Sequence, residues 1–168
     1  MSQSPFVVSV SDLVHHPGAR RAEHIAAPLP GLHVADSAVP DDAEVDLDVV
    51  LESVHDGILA TGTVTAPWTG PCRRCLKPVA GQARAAVAEL FEERATEGES
   101  YPLVHDQVDL EPLAREAVLL ELPQAPLCRD DCRGLCATCG ADLNEGPCGC
   151  VPEDRDARWA TLDALRPD

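Results

Sequence analysis

Val45-Asp-Leu-Asp-Val-Val-Leu-Glu52 is the stretch that sets the architecture of this chain. Val45, Leu47, Val49 and Leu51 alternate with Asp46, Asp48, Val50 and Glu52. A period of two puts the first set on one face and the acidic set on the other, the mark of a half-buried strand. Asp56-Gly57 comes next as a hairpin turn. Ile58 to Thr65 alternates again, and Pro67-Trp-Thr-Gly-Pro71 is expected to end that strand just before Cys72. Lys77 to Phe91 reads as a third strand. Its alanines also permit a helix, but Val79, Gly81, Ala83, Ala85 and Val87 keep one parity, which favours the strand.

Outward from this core the pattern weakens. Phe6-Val-Val-Ser-Val10 suits a first strand and His15-His16-Pro17-Gly18 a turn. Arg20-Arg21-Ala-Glu-His24 suits a short helix or a loop, and Pro28, Pro30 and Pro40 punctuate the stretch from there to residue 42. Glu92 to Ser100 reads as an acidic, mobile loop. Asp109 is placed to cap a helix with Glu111 and Pro112 in its first turn. Leu113, Ala117 and Leu120 would line one face of that helix, after Leu110, and Pro123 and Pro126 would stop it. Asp156 to Leu165 reads as a short amphipathic helix with Trp159, Leu162 and Leu165 inward. The expected fold class is α+β: a small antiparallel sheet with a few helices and a zinc-stabilised C-terminal segment. Three parts are expected: a sheet-and-helix domain over residues 1–126, a Cys-rich segment over 127–151, and a helix over 152–168 that packs back.

Composition narrows the function. The chain has 168 residues, with 29 acidic against 13 Lys and Arg, a formal net charge of −16. Such a charge excludes a simple basic nucleic-acid module, which gains affinity by neutralising many phosphates, and opposes docking on an anionic membrane. Aromatics are limited to Phe6, Trp68, Phe91, Tyr101 and Trp159, too few for a base-stacking platform. Residues 1–10 lack the features of a signal peptide, and no run approaches the 18 or so apolar residues of a membrane span. A cytoplasmic protein is expected, where thiols stay reduced.

Eight cysteines then read as metal ligands. They fall as Cys72-x2-Cys75, Cys128-x3-Cys132, Cys136-x2-Cys139 and Cys148-x-Cys150. Four pairs make two four-thiolate sites, the donor set of structural zinc. Residues 127–151 hold six of the eight and little apolar material, so this segment needs a metal to fold. Cys136, Cys139, Cys148 and Cys150 are close in sequence, and closing their short loop costs little entropy. Cys72, Cys75, Cys128 and Cys132 would then share a second ion and staple the tail to the sheet. The rival pairing puts Cys128, Cys132, Cys136 and Cys139 on one ion. Small buried thiols, an iron–sulfur centre and a redox pair are the other readings, and the spacing favours two zinc ions. Arg73, Arg74, Lys77, Arg129 and Arg133 flank the cysteines. They either offset the negative charge of the thiolate sites or form a small cationic patch for phosphate.

The combination of motifs resembles a known family. Cys72-Arg-Arg-Cys75-Leu76 follows a strand and a proline, a helix ends at Leu122-Pro123, and Pro126-Leu-Cys128 comes after it. Cys132-Arg-Gly134-Leu135-Cys136, Cys139-Gly-Ala-Asp142-Leu143-Asn144, Cys148-Gly-Cys150 and Asp156-Ala-Arg158-Trp159-Ala160-Thr-Leu162 complete the set. The chain is similar over about residues 43–165 to the YceD family, the large ribosomal RNA subunit accumulation proteins, of the actinobacterial type. Ala157 departs from the pattern, where proline is expected. The resemblance implies a non-enzymatic cytoplasmic factor that supports accumulation of large-subunit (23S) ribosomal RNA. Its implied partner is a large-subunit ribosomal protein or the precursor large-subunit rRNA, with no membrane and no small-molecule substrate.

No motif argues for catalysis. The six histidines are expected in loops or turns, none near a Gly-x-Ser-x-Gly or His-Glu-x-x-His motif, and there is no phosphate-binding glycine loop. The alternatives to a ribosome-assembly factor are an acidic zinc-stabilised adapter unrelated to ribosomes and a redox-responsive protein or enzyme. A basic protein partner would meet Asp46, Asp48 and Glu52, whereas RNA would need the Arg73, Arg74, Lys77, Arg129 and Arg133 patch.

Overall fold

The computed structural model describes residues 4–150. The strands are β1 (Val7–Ser9), β2 (Arg20–Pro28), β3 (His33–Val34), β4 (Ser37–Ala38), β5 (Glu44–Ser53), β6 (Ile58–Pro71), β7 (Pro78–Glu92), β8 (Tyr101–Val104) and β9 (Gln107–Asp109), followed by α1 (Glu111–Glu121). They form a curled half-barrel sheet in the order β2-β5-β6-β7-β8-β9-β1, with the β3–β4 hairpin joined to β6 where Ala38 pairs with Thr69. All pairings are antiparallel except β7 with β8.

This overturns the α+β expectation. Strands dominate, and α1 is the one helix among the described residues. Residues 20–24 are strand, not helix or loop. Arg20 and His24 stand on the outer face of β2 opposite Glu52 and Asp48 of β5, with which they pair at 2.8 and 2.7 Å. Their inward neighbours Ile25 and Ala27 are buried, but two apolar side chains are too few to announce a strand. β6 also runs through Pro67 to Pro71 instead of stopping. The β5 ladder ends at Thr65, so prolines beyond it interrupt no bond on that side. The helix predicted over 156–165 and the part over 152–168 lie outside the described residues.

The core lies where the alternation places it. Val45, Leu47, Val49 and Leu51 are buried together with Ile58, Ala60, Val64, Ala83, Val87 and Phe91. Each large aliphatic side chain removed from water contributes roughly 1.5–3 kcal/mol. Gly62 lies at a close approach of β6 to β5, where a Cβ would collide with the Asp48 carbonyl oxygen. The free edges of the sheet meet through Arg21 on β2, which donates to the Ser9 carbonyl on β1 at 2.6 Å and pairs with Asp12.

α1 closes the sheet. Leu110 is its N-terminal cap residue by backbone geometry, while the Asp109 carboxylate accepts from the Glu111 N–H at 3.0 Å. The buried face is Leu113, Ala114 and Val118, not Leu113–Ala117–Leu120, and Leu120 is 85% exposed. β8 and β9 turn tightly through His105 and Asp106, both left-handed, at φ 51° and 55°. A two-residue turn of this kind favours glycine at its second position. Asp106→Gly is therefore expected to raise stability by about 0.5 kcal/mol, the relief of left-handed strain exceeding the added unfolded-state entropy. Thermal unfolding should show a Tm rise of about 1–2 °C, and a fall would mean that the Asp106 side chain stabilises the turn.

Candidate metal centres

Both centres are built on the same turn. Cys72 and Cys75 lie in the loop between β6 and β7, closed by the Pro71–Pro78 register pair. The Cys72 carbonyl accepts from the Leu76 N–H at 2.9 Å, and the Cys72 N–H donates to the Lys77 carbonyl at 2.8 Å. Cys136 repeats this: its carbonyl accepts from the Gly140 N–H at 2.8 Å and its N–H donates to the Ala141 carbonyl at 2.8 Å. The residue after the second cysteine is left-handed in both, Leu76 at φ 61° and Gly140 at φ 74°. Each knuckle turns backbone N–H groups toward its first sulfur.

The cysteines converge as two sets of four. The Sγ atoms of Cys72, Cys75, Cys128 and Cys132 all lie within 4.8 Å of one another, and so do those of Cys136, Cys139, Cys148 and Cys150. The rival grouping of Cys128, Cys132, Cys136 and Cys139 is not formed. Cys72 and Cys132 are 3.9 Å apart and Cys75 and Cys128 3.6 Å, against about 3.75 Å between sulfurs at the corners of a tetrahedron with metal–sulfur bonds near 2.3 Å. All eight are free thiols. The first centre is the more enclosed. Cys72, Cys75 and Cys132 are buried and pack with Val79, Leu127 and Leu135.

The thiol electrostatics call for a cation. Burial pushes the Cys72 thiol up, but N–H groups of Cys128, Cys75 and Arg74 outweigh it and bring it down to about 6. Cys136 is also held down to about 6, by the N–H groups of Cys139 and Thr138. Burial and the neighbouring thiols push Cys128 up to about 12. Hydrogen bonds shared with Cys139 and Cys148, then burial, push Cys150 up to about 12. In each set one sulfur ionises readily and another resists, because four thiolates this close repel without a cation among them. A divalent ion removes the conflict, so the residues fit a metal in both places.

Asn144 is the residue that sequence reasoning passed over, naming it in a motif and giving it no role. It sits in the loop of the second centre yet serves the first. Its Nδ2 donates to the Cys132 Sγ at 3.5 Å and to Asp142 Oδ1 at 2.6 Å. Its Oδ1 accepts from Arg129 Nη2 at 2.7 Å and from the Arg133 N–H at 2.8 Å. Lys77, beside the first knuckle, reaches Asp142 of the second at 2.7 Å. That contact holds Asp142 down to about 2 and lifts Lys77 to about 12, so the bridge persists across the whole range between their ordinary values. It weakens only as pH falls toward 2 or rises toward 12. Gly134 lets the two segments touch, since at φ 74° a Cβ there would meet the Arg74 carbonyl oxygen at 3.0 Å.

The flanking cations divide. Arg74 donates to the Asp130 and Cys132 carbonyls at 3.0 and 2.9 Å, Arg129 is held by Asn144 and Asp131, and Lys77 by Asp142 and Glu145. Arg73 and Arg133 are exposed, with no side-chain partner among the described residues. On β5, Asp48 and Glu52 are answered by His24 and Arg20. The histidines are not all in loops: His24 and His33 stand on strands, and His15 and His55 line a hollow of about 470 Å³ beside Asp56, Glu93 and Arg94.

The profile of the family described as large ribosomal RNA subunit accumulation protein YceD matches residues 60–166, which takes in both cysteine sets. This chain belongs to the YceD family. An uncharacterised protein of Mycobacterium tuberculosis is 42% identical over 95% of the chain and 80% of its own length. An uncharacterised protein of Mycobacterium leprae is 39% identical over 98% of the chain and 80% of its own length. The chloroplastic large ribosomal RNA subunit accumulation protein YCED homolog 1 of Arabidopsis thaliana is 33% identical over 39% of the chain and 21% of its own length. No solved structure matches the chain. Membership of the YceD family implies a role in accumulation of large-subunit ribosomal RNA. No helix among the described residues is long and apolar enough to cross a membrane.

Proposed function

We propose that this chain is a non-enzymatic cytoplasmic factor for large-subunit biogenesis that holds two structural zinc ions and works mainly by binding a basic large-subunit ribosomal protein. The observation that carries this reading is the family match across both four-cysteine centres, on a body of net charge −16. Four sulfurs in each centre fill a tetrahedral zinc and leave no open position for substrate, which favours a structural ion over a catalytic one. The charge favours a basic protein over RNA, because electrostatic steering brings a cationic partner in and turns phosphate away. Three of the five cations beside the centres are engaged internally, which among the described residues leaves Arg73 and Arg133 unpaired as the candidates for phosphate.

The test is co-sedimentation of the tagged chain with large-subunit precursor particles, followed by crosslinking. The expected result is association, with crosslinks mostly to a basic ribosomal protein and about two zinc per chain. Arg73→Gln with Arg133→Gln should leave association within about twofold, since each forfeits only a surface charge. Loss of association in that variant, with zinc retained, would make RNA the main contact.

A further inference from the structure

The apolar stripe expected on the helix lies only partly in the core. Leu113 at its top is buried, Ala117 is half-buried, and Leu120 is 85% exposed. The stripe descends out of the core and forms one wall of a groove of about 170 Å³, with Ala85, Ala86 and Val87 of β7 on the other side. Tyr101 stands at its end, its ring stacked on Phe91 with centroids 5.3 Å apart and its hydroxyl donating to Glu116 at 2.7 Å. A second hollow of about 180 Å³ continues past Tyr101 toward Gly98 and Ser100.

Among the described residues the charge along both hollows has one sign: Glu89, Glu99, Glu116 and Glu121 line them, no Lys, Arg or His does, and no cation pairs with these four. We propose that this groove between α1 and β7 is the docking site for a Lys- and Arg-rich segment of the partner protein. The inference rests on the partner reading above and names its place. Lysine and arginine suit both features of the groove, because their aliphatic stems cover apolar surface while their heads reach carboxylates. Stems over Ala86, Ala117 and Leu120 would carry their cations to the glutamates. RNA is opposed by four carboxylates, and a second copy of this chain would bring the same acidic rim to the same groove. The carboxylates are strung along the groove and do not converge on one point, unlike the two cysteine sets, so a metal ion is not the occupant.

The test uses the zinc-loaded full chain and three probes: a 14-residue peptide of Lys, Arg and Leu, the same peptide with Ser for Leu, and a 20-nucleotide single-stranded RNA. Amide shifts should move at Ala86, Tyr101, Ala117 and Leu120 with the first peptide. Glu116→Lys with Glu121→Lys should weaken its binding at least about tenfold, and Leu120→Ser about fivefold. Asp42→Lys with Glu44→Lys, an equal charge change on and beside β5, should leave it within about twofold. The Ser peptide should bind more weakly than the Leu peptide. Equal weakening by both lysine pairs, equal binding of both peptides, or shifts by RNA at the same residues would overturn the proposal. In the particle assay, association that survives Glu116→Lys with Glu121→Lys would defeat the groove but keep the ribosomal reading. Peptide binding at the groove by a wild-type chain that joins no particle would do the reverse.

Discussion

Cys75→Ser is expected to lower the stability of the whole sheet by more than about 4 kcal/mol, the range in which loss of a metal stands apart from ordinary substitutions. The reason is position. Cys75 lies between the two longest strands, and its centre ties the 72–77 loop to Cys128 and Cys132. That connection spans β7, the acidic loop, two short strands and α1, so an ion held there would close a long loop as well as fill a buried pocket. Cys72, Cys75 and Cys132 are buried, and a serine at Cys75 leaves three sulfurs where a tetrahedral ion takes four. Further support comes from the backbone: Arg73 donates its N–H to the Pro126 carbonyl at 2.8 Å, and the Leu135 N–H reaches the Arg74 carbonyl at 3.1 Å. Both bonds depend on the knuckle keeping its shape. Cys148→Ser acts on the second centre, whose sulfurs lie within 15 residues of one another and are half-buried to exposed. Hydrogen exchange should therefore rise along β6 and β7 in the first variant and stay confined to residues 134–150 in the second. Equal, local effects would mean that the first centre does not bear on the sheet.

The legible parts of this molecule are those where one physical signal acts alone. Val45 to Leu51 alternates because one face is buried and one is wet, and the structure keeps that register to the residue. The pairing of cysteines followed from loop entropy, and the two sulfur sets are the ones that loop entropy favours. Where two signals compete, the reading failed. In Arg20–His24 the polar residues outnumber the buried ones, so the strand is specified by its partner: the Arg20–Glu52 and His24–Asp48 pairs exist only once β5 is in place. The stripe Leu113–Ala117–Leu120 has helical spacing, but the neighbouring stripe through Ala114 and Val118 meets the sheet, and spacing alone does not say which of two adjacent stripes faces inward. The contacts of Asn144 join segments that only folding brings together. The Asn144 N–H makes a short-range bond to Asp142 Oδ1 at 2.9 Å, while the reach of its side chain to Cys132 cannot be read from local sequence.

Asn144→Asp is expected to weaken metal binding at the first centre by about 10–100-fold while leaving the second close to wild type, the usual scale for losing an outer hydrogen bond to a metal ligand. The substitution is chosen because it divides the work of one side chain. Oδ1 of Asn144 holds Arg129 and the Arg133 N–H, and an aspartate keeps both bonds. Nδ2 donates to Cys132 and Asp142, and an aspartate puts a carboxylate oxygen there instead. The Cys132 thiol is held below its ordinary value although burial pushes it up, because the Gly134 N–H and then Asn144 donate to its sulfur. Replacing a donor by an anion raises the cost of the thiolate and so of the bound ion. Titration of the metal-loaded chain with a chelator should resolve one weakened and one unaltered site, and the cobalt-loaded chain should show a shifted sulfur-to-metal charge-transfer band. Asn144→Ala, which removes both halves, should lose at least as much affinity as Asn144→Asp. If aspartate behaves as wild type and only alanine is impaired, Asn144 acts by bracing Arg129 and Arg133, and the bond to sulfur contributes nothing. If both sites weaken together, the two centres form one cooperative unit through Asp142 and Lys77, and the assignment of Asn144 to the first centre alone fails.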